Sequence, residues 1–101
     1  MIVNIQSHQV ELDKAIEAHI RRKLTLALSR MEQNITAISI HLTDVINQKG
    51  CPETHCYIQI SIIDLPDIII EDTQTDLYFA IDRVIQKASH SLARKFMLIG
   101  N

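Results

Sequence analysis

The sequence predicts an α+β fold, β-α-β-β-β-α, with two helices packed on one face of a four-stranded sheet. Three observations predict it. Apolar residues alternate with polar ones in four segments, they recur at three- and four-residue intervals in two others, and the breaks between segments carry turn chemistry. With 101 residues and 47% hydrophobic content, residues 1–101 are expected to form a single domain with an ordinary core.

Val3 and Ile5 alternate with Asn4 and Gln6, which predicts a strand over 2–6. Asp13 suits a helix N-cap, and Ile16, Ile20, Leu24, Ala27 and Met31 then mark the buried stripe of an amphipathic helix over 14–31. Asn34 falls in the turn that follows. Ile38, Ile40 and Leu42 alternate with Ser39, His41 and Thr43 in a second strand over 35–44. Asn47 to Pro52 is a loop by its turn residues. Cys56, Ile58, Ile60 and Ile62 define a third strand; Leu65-Pro66 interrupts the pattern, and Ile68 and Ile70 begin a short fourth strand ending near Asp72, paired with the third as a hairpin. From Leu77 the helical period returns through Ile81, Ile85, Ala88, Leu92 and Phe96, with Asp76 or Thr75 as the cap. One apolar face per strand and one stripe per helix bury best as two layers, which leaves the outer helical faces exposed.

Composition excludes several classes of function. Gly50 and Gly100 are the only glycines, so there is no Gly-rich phosphate loop, and no Ser, Cys or carboxylate pair joins any of the five histidines in a catalytic motif. No enzyme activity, cofactor or small-molecule substrate is expected. Cys51, His55 and Cys56, with His41, are soft metal ligands by type, but the C-x4-C spacing lacks a second pair and Cys56 fits the inward face of its strand, so no metal is expected. No apolar run approaches the roughly 20 residues that cross a bilayer, and Met1 to Asn4 does not open a signal peptide, so the expectation is a cytoplasmic protein with reduced cysteines and no membrane. Tyr57, on the outer sheet face, and Phe79, on the solvent side of the last helix, are the aromatics expected to be exposed; one Tyr does not make a stacking platform for single-stranded RNA.

The net charge of -2 gives no general attraction to nucleic acid, but the charge is unevenly placed. Nine of the ten Lys and Arg residues fall in the two predicted helices, while Lys49 stands alone against seven acids between Ile35 and Asp76. At about 100° per residue, Arg83, Lys87, His90 and Arg94 form a stripe opposite Ile81, Ile85, Ala88 and Leu92. No acid is expected to share it. A row of unpaired cations repels itself, and a polyanion laid along it removes that cost while releasing its own counterions. On the first helix Arg22 points outward, and Arg21, Lys23 and Arg30 flank the buried stripe with their stems over apolar surface. The residues alone leave two readings open: a face that binds folded RNA by phosphate contact and shape, or two solvated helix faces with no further role.

Asn4-Ile5, Val10-Glu11-Leu12 and above all Asp76-Leu77-Tyr78-Phe79-Ala80-Ile81-Asp82 match the N-I, V-E-I and D-M-Y-x-A-I-D patterns of a known family. Through nearly its whole length the chain resembles the short ribosome hibernation promoting factor and ribosome-associated inhibitor family. The resemblance implies a non-enzymatic translation regulator that binds small-subunit rRNA between head and body through basic helices. There it would block the mRNA and tRNA sites of idle ribosomes in stationary or stressed cells. It places Lys23, Lys87, His90 and Arg94 where the family carries basic residues; Arg22 and Arg83 join them from helical geometry. Two features depart from the pattern: Leu26, expected to face outward, stands where a family Lys is common, and Phe96-Met97-Leu98-Ile99 replaces a Lys-rich extension. They support a rival reading, a divergent paralogue acting as a protein-interaction module without ribosome binding. Such a module would pair with a partner, or with itself as a weak homodimer, through the apolar end or a sheet edge.

Overall fold

The computed structural model describes residues 2–99, with side chains through Phe96, and contains the six expected elements in the expected order. They are β1 (Ile2–His8), α1 (Lys14–Leu28), β2 (Ile35–Ile46), β3 (Pro52–Ile62), β4 (Leu65–Gln74) and α2 (Leu77–Ile99), with a 3-10 turn over Ser29–Asn34. The strands lie in the order β1-β2-β3-β4. β1 runs parallel to β2 across the α1 crossover, and the other two pairs are antiparallel.

Period-two patterning puts every second residue under the helices. Ile38, Ile40 and Leu42 of β2 stand opposite Ile60, Ile58 and Cys56 of β3, all fully buried. They meet Ile16, Ile20, Leu24 and Leu28 of α1 and Ala80, Ile81, Val84, Ile85, Ala88 and Leu92 of α2 in one core. Each fully buried Ile or Leu contributes about 1.5–3 kcal/mol over its exposed state. Both helices therefore sit on one side of the sheet, with α2 over β3 and β4. Asp13 caps α1 by accepting the Ile16 N–H at 2.8 Å. Asp76 caps α2 by accepting the Phe79 N–H at 2.8 Å, which decides the choice between it and Thr75.

The element ends differ from the sequence expectation for local reasons. α1 stops at Leu28, three residues early, and Ser29–Asn34 tightens into the 3-10 turn, which satisfies terminal carbonyls while swinging the chain into β2. Arg30 and Met31 thus leave the α-helical register. β3 begins at Pro52, inside the expected loop, because a Pro is tolerated as the first residue of a strand. The chain resumes as the edge strand β4 at Leu65, where a Pro is tolerated, and the interruption survives as a register shift opposite Pro66-Asp67, between the Ile62–Leu65 and Ile60–Ile68 pairs. The turn between β3 and β4 is Ile63-Asp64, with Asp64 in the left-handed region (φ 62°) that short polar side chains tolerate.

Candidate nucleic-acid interface

The two helices lie side by side and run in the same direction, as their cross-contacts show. His19 Nε2 is 2.7 Å from Asp82 Oδ1, Lys23 Nζ is 3.9 Å from Asp82 Oδ2, and Ser89 Oγ donates to the Ala27 carbonyl at 3.4 Å. Tyr78 packs edge-on against His19, with ring centroids 4.8 Å apart. The outer faces of α1 and α2 are thereby fused into one surface whose seam is pinned by Asp82. Of the ten Lys and Arg residues, Lys14, Arg21, Arg22 and Lys23 lie in α1 and Arg83, Lys87, Arg94 and Lys95 in α2, against Glu17 and Asp82 as the only acids of these helices.

Within that surface the expected site residues are not equivalent. Arg22, His90 and Arg94 are exposed. Among the described residues no carboxylate lies within ion-pair distance of any of them. Lys23 is half-buried beside Asp82. Arg83 and Lys87 are also half-buried, and they lean to the same carboxylate: Arg83 Nε is 3.6 Å and Lys87 Nζ 3.4 Å from Asp72 Oδ2 on β4. The expected row of unpaired cations is therefore corrected at two of its four positions. Helical periodicity names only acids one turn away along the helix, whereas the sheet delivers this one from the side. Asp72 shares the inward parity of Ile68 and Ile70. Its side chain is only 11% exposed beneath the flank of α2, and its register partner on β3 is Cys56. Oδ1 accepts from Gln74 Nε2 at 3.1 Å; Oδ2 is buried without a hydrogen bond.

Leu26 is 72% exposed, as expected, and follows Arg22 by one helical turn on the outer ridge of α1. It borders two shallow hollows along the seam. One, of about 340 Å³, is shared with Lys23, Asp82, Ile85 and Gln86; the other, of about 500 Å³, with Arg30, Met31, Ser89 and Ala93. Phe79 is half exposed at the start of α2. Tyr57 is half-buried on the outer sheet face, edge-on to His41 at 5.5 Å and donating to Gln59 Oε1. Phe96 is half-buried against the core, while the side chains of Met97, Leu98 and Ile99 lie outside the described residues.

Cys56 is fully buried and Cys51 exposed. Burial, reinforced by the neighbouring Asp72 charge, pushes the Cys56 thiol up to about 12. Among the described residues no group of three His, Cys, Asp or Glu side chains is placed to hold a metal ion, and no helix is long and apolar enough to cross a membrane. Sequence reasoning missed Asp72 and His19 as parts of this surface. In the sequence Asp82 stands out only as the last residue of the Asp76–Asp82 motif. The signal for Asp72 is the alternation of β4, in which it follows Ile68 and Ile70 on the inward face.

A family model described as Sigma 54 modulation protein / S30EA ribosomal protein matches residues 3–95. No curated protein sequence matches the chain significantly. Among solved structures, a ribosomal subunit interface protein from Coxiella burnetii is similar at a TM-score of 0.76 and 17% identity, over 94% of this chain and 97% of that one. The N-terminal domain of Protein Y from Thermus thermophilus is similar at a TM-score of 0.71 and 19% identity, over 93% of this chain and 98% of that one. At these identities the two structures establish the shared fold, and the family match covers nearly all of the sequence. The chain belongs to the Sigma 54 modulation protein / S30EA ribosomal protein family.

Proposed function

We propose that the chain is a non-enzymatic, cytoplasmic, ribosome-associated translation inhibitor. It binds small-subunit rRNA through the joined outer faces of α1 and α2 and blocks the mRNA and tRNA sites of idle ribosomes in stationary or stressed cells. The observation that carries this reading is the parallel pairing of the helices, which sets α1, with Arg22 and Lys23, beside α2, with Arg83, Lys87, His90 and Arg94. Family membership and the likeness to a ribosomal subunit interface protein support the choice of partner. Arg and Lys on a rigid surface act as phosphate-positioning groups, and recognition comes from the shape of the folded RNA. Inhibition requires no chemistry, only occupancy of the site.

The test is co-sedimentation of the pure protein with small ribosomal subunits across a salt series. Binding at low salt that weakens steeply with ionic strength is the expected result. Exposed Leu26 and its two hollows favour one rival, a protein-interaction module that kept the fold without the ribosome. An apolar contact of that kind persists at high salt, and the module does not pellet with ribosomes.

A further inference from the structure

Among the described residues, Asp72 is the one acid that the sheet inserts into the basic stripe. Its Oδ2 atom is buried, has no hydrogen bond, and stands 3.4 Å from Lys87 Nζ and 3.6 Å from Arg83 Nε. A charge-assisted bond of this type closes to about 2.7–2.9 Å, so the cations are drawn to the carboxylate without being locked to it. The carboxylate itself is held by its strand and by Gln74, not by the cations. Arg83 and Lys87 have side chains about 40% exposed and keep access to solvent.

We infer that Asp72 is a built-in counter-charge that occupies the phosphate-binding ends of Arg83 and Lys87 in the free protein and lowers the affinity of α2 for RNA. This inference rests on the RNA-binding reading of the helical face. A phosphate arriving on the outer side offers both cations acceptors at full hydrogen-bond distance, and they exchange the internal anion for it. In the free protein the trio carries a net charge of +1, from two cations and one carboxylate. The chain thus carries a weaker basic stripe than its cation count suggests, and one side chain sets by how much.

The experiment compares the wild type with Asp72→Asn for binding to purified small ribosomal subunits across a salt series. Asn retains the oxygen that accepts from Gln74 and replaces the charged Oδ2 facing the two cations with a neutral amide NH2. Tighter binding at low salt, by about three- to tenfold, with a log affinity versus log salt slope steeper by up to about one, is the expected result. Equal or weaker binding by a folded Asn variant overturns the inference while the RNA-binding reading stands. Binding by neither protein at low salt overturns both. Should the Asn variant not fold, the wild type alone decides: on adding small-subunit rRNA, NMR signals of Lys87 Nζ, Arg83 Nε and the Asp72 carboxyl carbon shift together. A stationary Asp72 signal beside shifted Lys87 and Arg83 signals overturns the exchange.

Discussion

The imidazole Nε2 of His19 stands 2.7 Å from Asp82 Oδ1, and through this contact one carboxylate joins α1 to α2 along their exposed seam. The other oxygen of Asp82 faces Lys23 at 3.9 Å. Asp82 is thus an acid in the middle of a basic surface, and its role there is alignment: it fixes the spacing between the cations of one helix and those of the other.

Replacing Asp82 separates alignment from net charge. The carboxylate is 37% exposed, so its contacts are partly screened and Asp82→Ala is expected to cost about 1 kcal/mol in urea unfolding. The same variant makes the surface more positive, yet it should bind small subunits more weakly than the wild type, because the two helices lose their common pin. Tighter binding by Asp82→Ala shows that charge alone matters and alignment does not.

Leu26 offers the converse test. Being largely exposed on the outer ridge of α1, it tolerates Leu26→Lys with a stability change within about 0.5 kcal/mol. One added phosphate contact steepens the salt slope by about one and tightens low-salt binding to small subunits. An unchanged slope places Leu26 outside the RNA contact and strengthens the protein-module reading.

The core makes its own prediction. Ile20 is fully buried between the helices and the sheet, so Ile20→Ala removes methylenes and leaves a cavity, lowering the free energy of unfolding by about 2–5 kcal/mol. A loss below 1 kcal/mol in denaturant titration contradicts the packing described.

The two thiols should differ in reactivity. In the native protein near pH 8 a disulfide reagent should titrate Cys51 only, and both thiols once denaturant is added. Cys56 also ties stability to alkaline pH. Burial pushes its thiol from an ordinary value of 9.0 up to about 12 in the fold, so the folded state holds the proton more tightly. The contribution is complete below the unfolded value and is lost as pH rises through about 12. Alkaline melts in which Cys56→Ala abolishes part of that loss are the expected outcome; immediate labelling of both native thiols contradicts it.

How much of this was legible beforehand follows from the range of each signal. The core stripes of α1 and α2 and the alternation in β2 and β3 are local repeats, and Ile20, Ile38, Ile58 and Ile85 lie where those repeats put them. The parallel pairing of β1 with β2 was not read, because it depends on partners more than 30 residues apart that no local pattern names. The same limit hid Asp72 from the cations of α2. Along the helix Arg83 and Lys87 have no acid one turn away, and the one that reaches them arrives through the sheet. Arg30 was placed on the helix because the apolar period runs on to Met31, whereas the chain tightens after Leu28 to enter β2.

If the joined face of α1 and α2 binds the small ribosomal subunit through its cations, reversing those charges must abolish binding. The most direct measurement is co-sedimentation of the wild type and an Arg83→Glu, Lys87→Glu, Arg94→Glu triple variant with purified small subunits at low salt. Helical structure in both proteins is checked first by circular dichroism. The wild type should pellet with the subunits and the triple variant stay in the supernatant. A wild type that remains unbound, or a folded triple variant that pellets equally well, contradicts binding through that face.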